Sequence, residues 1–279
     1  MPSERRRIWI SRIMLALCGL AAGLSAAILV VLLLYVLVKG IAYVNLEFLT
    51  ALPRPLGEPG GGMANAFVGS AVMVGLATLW ATLLAVGAGI YLAEYGGERT
   101  VAVVRLVADV LSGLPSIVIG VFAYTLLVKP LGTFSAVAGA FALGLIMLPI
   151  VARTTEESLR LVPHELREAA LALGIPRWRA TLSVLLPTAR AGILTGVMLA
   201  VARIAGETAP LLFTALGNRF WPNGLLSPTA ALTLNIYQYA ISPYDQWHQQ
   251  AWAAAFFLLL FVLVLNIVAR LVAARAMPR

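Results

Sequence analysis

Charge is what this 279-residue chain has least of. Asp, Glu, Lys and Arg make up 11% of it, against 61% hydrophobic residues, and the mean hydropathy is +0.93. A soluble domain of this length wraps one core in a charged surface, and there is too little charge here to do so. Lysine is confined to Lys39 and Lys129. Neither ends a Gly-x-x-x-x-Gly-Lys phosphate loop, so the sequence offers no Walker-type ATP site. Cys18 is the single cysteine, which excludes an internal disulfide and a cysteine metal cluster. His164 and His248 are isolated from each other and from further ligands, so neither marks a metal site. No cofactor is expected, and no clustered nucleophile and base points to an enzyme.

What is abundant is apolar sequence in runs of about 20 residues, the length that crosses roughly 30 Å of hydrocarbon as a helix. Six such runs are expected to span: Ile13–Val38, Ala66–Ala93, Ser112–Val128, Ser135–Val151, Ala191–Leu216 and Ala251–Ala269. The fold class is therefore an all-α polytopic membrane protein. A short tail, residues 1–12, precedes one transmembrane domain over residues 13–279, with no internal repeat. Arg5, Arg6 and Arg7 before the first run mimic a twin-arginine signal, but that run is too long for a signal peptide and lacks a clear cleavage site. Pro115 predicts a kink in the third span.

The net charge of +8 is a matter of topology. Arg5, Arg6, Arg7, Arg12, Arg99, Arg105, Arg153, Arg160, Arg167, Arg177, Arg179, Arg190, Arg270, Arg275 and Arg279 fall on one side of a six-span arrangement. Lys39, Arg54, Lys129 and Arg219 fall on the other. The positive-inside rule then places both termini in the cytoplasm. Neither a basic stripe nor interleaved aromatics appear, so nucleic acid is not an expected partner. Two outer connections are long. Residues 39–65 form a turn-rich linker with Pro53, Pro55, Pro59 and Gly60-Gly61-Gly62, and residues 217–250 contain an apolar stretch, Thr229 to Ile241, too short to span.

The cytoplasmic loop 153–190 carries the most information. A helix is expected after Pro163, closed by Gly174 in a left-handed conformation and by Pro176. A second helix is expected from Arg177 to Leu186, stopped by Pro187. Leu166, Ala169, Ala170 and Leu173 recur at three- and four-residue spacing, which suits either a helix lying on the bilayer or one entering a groove on a partner. The run Glu168-Ala169-Ala170, three residues, Gly174, eleven residues, then Leu186-Pro187 and Gly192-Ile193 resembles the EAA loop of bacterial ABC-transporter permeases. That resemblance implies a type I ABC importer permease fold. It also implies that Glu168, Ala169, Ala170 and Gly174 form a coupling helix seated in a separate ATPase subunit.

Inside the fifth expected span, Arg203 and Glu207 stand four residues apart, which on a helix puts them on one face. Such a pair either fixes packing or marks an anion route, since guanidinium binds tetrahedral oxyanions through parallel hydrogen bonds. Ser112, Ser116 and Thr208 could donate to the same anion, or could instead bond their own helix carbonyls. Arg105 and Asp109 read as a surface pair. The stretch from Ala202 to Leu212 resembles phosphate-uptake permeases of the PstA family, as do Leu114 to Gly120, Gly61 to Ala66 and Pro228 to Leu232. The resemblance implies that Arg203 and Glu207 attend phosphate passage through a bacterial inner-membrane transporter. Its implied partners are a homologous second permease, two cytoplasmic ATPases, an external phosphate-binding protein and inorganic phosphate. A permease for sulfate, molybdate or phosphonate would share the EAA loop; a membrane-embedded phosphatase, receptor or channel would give no reason for it.

Overall fold

The computed structural model describes residues 4–55, 58 and 60–276. Pro59 and Arg279 lie outside the described residues. Eleven helical elements follow in order among those described: α1 Glu4–Ile41, α2 Leu46–Thr50, α3 Ala64–Tyr95, α4 Glu98–Gly113, α5 Ser116–Leu131, α6 Ala136–Arg160, α7 His164–Ala172, α8 Arg177–Ala205, α9 Ala209–Thr214, α10 Leu232–Ala240 and α11 Asp245–Ala276. Five of them, α1, α3, α6, α8 and α11, are individually long and apolar enough to cross a membrane. The chain is a multi-pass membrane protein.

The third expected span, Ser112–Val128, breaks into two helices rather than kinking. α4 and α5 meet at 102°, with Leu114 and Pro115 both extended in the break. Proline cannot donate to the preceding turn and pushes the residue before it out of the helical region, so Leu114 leaves the helix. The fifth span also differs from expectation. It starts at Arg177 and ends at Ala205 rather than running from Ala191 to Leu216, and it passes through Pro187. A π-helical stretch, Thr181–Leu185, lies directly ahead of Leu186-Pro187 and lets the helix continue past the residue expected to stop it. The stretch expected not to span forms α10, which packs beside α11 and α3.

α6 is the centre, with two thirds of its apolar window buried between α3 and α8. In lipid no hydrophobic force drives helices together, so close packing of small residues must. Gly144 faces Trp80, whose indole donates to the Ala140 carbonyl at 3.3 Å and stacks on Phe141. Gly89 meets Thr155, while Gly192 and Gly196 of α8 meet Ser158 and Thr154. A Cβ at Gly69 would sit 2.0 Å from the Ala230 carbonyl oxygen, beside the bond that Leu232 N donates to Ser70 Oγ at 2.7 Å. Gly69→Ala must therefore push the start of α10 off α3. The expected cost is about 1–3 kcal/mol, read as a thermal transition several degrees lower in detergent. α1 stands apart, touching α11 where Gly40 lets Trp252 and Phe256 approach. Between Ile13 and Val38 its surface is mostly apolar and exposed.

Candidate functional site

Both broken helices converge on one place. α5 packs against α9, with Gly120 so close to Pro210 that an added Cβ would lie 2.6 Å from its Cα. Just beyond that contact a cleft of about 80 Å³ is lined by Leu111, Ser112, Leu114, Ser116, Ile119, Ile146, Ile150 and Arg203. Three of the five residues expected to line a pathway, from three different helices, thus share one cavity. Arg203 is the only charged residue in the lining, and its side chain is 58% exposed.

Glu207 reaches this site by another route than the expected one. α8 ends at Ala205, so Arg203 and Glu207 do not share a helical face. Instead Gly206 N and Glu207 N close a tight final turn on the Arg203 and Ile204 carbonyls, both at 3.2 Å. That turn brings Glu207 Oε1 to 4.0 Å from Arg203 Nη2. The separation is too long for a hydrogen bond, so the guanidinium is oriented while its donors stay available. Thr233 Oγ1 of α10 donates to the Glu207 carbonyl at 2.9 Å and pins the break. Thr208 opens α9 and does not line the cleft.

Beyond the cleft, toward α7, lies an ionic cluster that the sequence reading paired differently. Arg105 and Asp109 do not bond each other as a surface pair. Arg105 Nε donates to Glu156 Oε1 at 3.0 Å, and its Nη2 bonds the same oxygen. Asp109 accepts from Arg153 at 2.6 and 2.8 Å, and Arg160 Nη2 lies 3.0 Å from Glu156 Oε1. Glu156 is only 2% exposed. Both bonds tie α4 to α6, across helices, because a buried carboxylate outweighs an exposed neighbour one turn away.

α7 forms where expected, with Gly174 at φ +74° and Pro176 starting the turn into α8. Glu168, Ala169 and Gly174 are exposed and Ala170 is buried. Leu166, Leu171, Leu173 and Trp178 leave apolar surface around them. What the sequence reading missed is Glu94, buried at the last, π-helical turn of α3. Arg167 Nη2 of α7 donates to its carboxylate at 2.5 Å, and Arg177 donates to its backbone carbonyl while lying over the Tyr95 ring. A lone acid at the end of an apolar run was the available signal. Arg167→Ala should cost about 2 kcal/mol at this contact, the value of a charge-assisted bond. Amide exchange over residues 164–172 should rise roughly thirty-fold, as read by mass spectrometry.

A multi-pass helical bundle with two helices broken at a cationic cleft and an exposed helix at one end has the form of a membrane permease. A family model described as "Binding-protein-dependent transport system inner membrane component" matches residues 85–278. The chain belongs to that family, and within it to the PstA permeases. It is 52% identical over 235 residues to the phosphate transport system permease protein PstA of Xylella fastidiosa (strain 9a5c), covering 83% of this chain and 81% of that one. To PstA of Pasteurella multocida (strain Pm70) it is 48% identical over 263 residues, covering 94% and 93%. Among solved structures, the MetNI methionine ABC transporter in an inward-facing conformation matches at TM-score 0.63 and 16% identity, over 77% of this chain and 96% of that one. The fold is that of an ABC importer permease.

Proposed function

We propose that this chain is the permease subunit of an ATP-driven importer of inorganic phosphate and forms half of the translocation path. The single observation that carries this is the meeting of Ser112, Ser116 and Arg203 in one cleft at two helix breaks, in a chain about half identical to PstA permeases. Guanidinium is permanently charged and forms parallel hydrogen bonds with a tetrahedral oxyanion. The serine hydroxyls add neutral donors, and the amino-terminal end of α5 adds the positive end of its dipole. Glu207 keeps Arg203 in position and weakens its hold enough for the anion to leave.

In this reading the chain binds no ATP itself. A homologous second permease completes the path, two cytoplasmic ATPases drive it and an external phosphate-binding protein delivers the substrate. α7, through Glu168, Ala169, Ala170 and Gly174, seats in an ATPase, and Arg167 passes its movement to α3 at Glu94. Alternating access follows as a shift between two states of the bundle. Both termini, the loop 153–190 and the arginine-rich end lie in the cytoplasm, and the protein resides in the bacterial inner membrane. The test is ATP-dependent uptake of labelled phosphate by proteoliposomes holding the full assembly, with sulfate and molybdate as competitors. Uptake that resists both is expected; uptake blocked by either would reassign the substrate to another oxyanion.

A further inference from the structure

A second polar cleft, of about 190 Å³, lies at the opposite end of the bundle from α7. Asn65 at the start of α3 donates to the Asn218 carbonyl on its rim at 2.6 Å, whereas Glu94 at the far end of α3 holds Arg167. Twenty-nine residues of helix separate Asn65 from Glu94, or about 44 Å at 1.5 Å per residue. The two clefts share no lining residue.

Polar side chains line this second cleft. Asn235 and Tyr239 line it and are each only 6% exposed. Among the described residues neither the Asn235 amide nor the Tyr239 hydroxyl has a hydrogen-bond partner. Both side chains are buried apart from what they show to the cleft, so their polar atoms are presented to whatever enters it. Gln238 adds a second free amide at the rim. Arg219 is the only charged lining residue, and no lining residue is acidic. Its guanidinium lies 5.5 Å over the Trp247 ring, and among the described residues its N–H groups bond no other partner, which leaves them for a ligand. Asn218, by contrast, is already engaged at both ends of its amide: its nitrogen donates to the Pro228 carbonyl and its oxygen accepts from Phe220 N.

A permanent cation, two amides and a phenol around a small cleft, with no opposing acid, select a compact oxyanion. We infer that the Arg219–Asn235–Tyr239 cleft is a second oxyanion site, which holds phosphate at the entrance before it reaches Arg203. The inference rests on the phosphate-importer reading above. α10 connects the two places: Asn235 faces the entrance cleft, and Thr233, on the same helix, bonds the Glu207 carbonyl beside Arg203. An anion arriving at Asn235 is thus sensed on the helix that pins the break.

The test uses the assembled transporter in nanodiscs, without its binding protein and with Arg203→Ala to remove the inner site. Labelled inorganic phosphate is titrated in a scintillation proximity assay. Saturable binding is expected to remain, and to weaken about ten-fold or more on adding either Arg219→Gln or Asn235→Leu, the scale of losing a charge-assisted bond. Co-elution of all subunits in gel filtration establishes that each variant assembles. Binding indifferent to both substitutions, or absent from the Arg203→Ala assembly, overturns the second site. Phosphate uptake by the wild-type assembly is measured in parallel. If it is intact while binding ignores Arg219 and Asn235, only the entrance site falls; if it is absent, the importer reading falls first.

Discussion

Proteoliposomes carrying Arg203→Ala are expected to lose phosphate uptake by at least about a hundred-fold while the subunits still assemble. Arg203 is the one cation in its cleft, so the substitution leaves two serine hydroxyls facing a divalent or monovalent anion. Hydrogen bonds to a charged group are worth about 1.5–3 kcal/mol each, and the guanidinium can make two of them to one oxyanion, which sets the size of the loss. Assembly should survive because more than half of the Arg203 side chain is exposed and its nearest carboxylate is 4.0 Å away, so little packing depends on it. Arg203→Lys should recover only part of the rate, since a point charge cannot reproduce the two-pronged contact. Uptake at the wild-type rate from a correctly inserted Arg203→Ala protein would remove this residue from the path.

Glu156→Ala is expected to have the largest effect on stability. It strips the shared acceptor from Arg105 and Arg160 and leaves Arg153 nearby, three guanidinium groups with one remaining carboxylate, Asp109, among them. Breaking a buried pair from one side costs about 3–5 kcal/mol, and the low end applies because the arginines are partly open to solvent, which screens them. The protein should accumulate in membranes at a small fraction of the normal level. The residual protein should show α4 moving away from α6, measured as a longer and broader spin-label distance between Val103 and Ser158. Glu156→Gln keeps an acceptor oxygen and should fall between the two. Unchanged abundance and an unchanged distance would show that the cluster does not hold α4.

The same pair of helices shows where reading the sequence stops. Arg105 and Asp109 are four apart on α4, and an isolated helix would let them meet, at a gain of only about 0.2–0.5 kcal/mol. α6 offers each a better partner, and nothing in the local sequence says that Glu156 and Arg153 stand opposite. Glu94 was overlooked for a related reason: its partner Arg167 is 73 residues away. The Arg203–Glu207 contact was anticipated from helical spacing, yet the helix ends before Glu207 and a tight turn makes the approach. Spacing predicts that the two side chains approach, and the structure brings them together by a different geometry. Pro187 predicts a stop, and the π-helical turn ahead of it carries the helix on.

Composition and apolar run length alone determined that the chain is helical and crosses the membrane repeatedly, because hydrocarbon admits only helices and closed barrels, and runs of about 20 apolar residues are twice the length of a barrel strand. The Glu168–Gly174 pattern located α7, since its signal is local in sequence. The tertiary structure decided the rest: the 102° bend at Pro115, the end of α8 at Ala205, and which charges face which. Those outcomes depend on contacts between helices, such as Gly120 against Pro210 and Arg105 against Glu156, whose strength is fixed by approach distance and burial. Distance and burial are properties of the packed bundle, and no run of neighbouring residues encodes them.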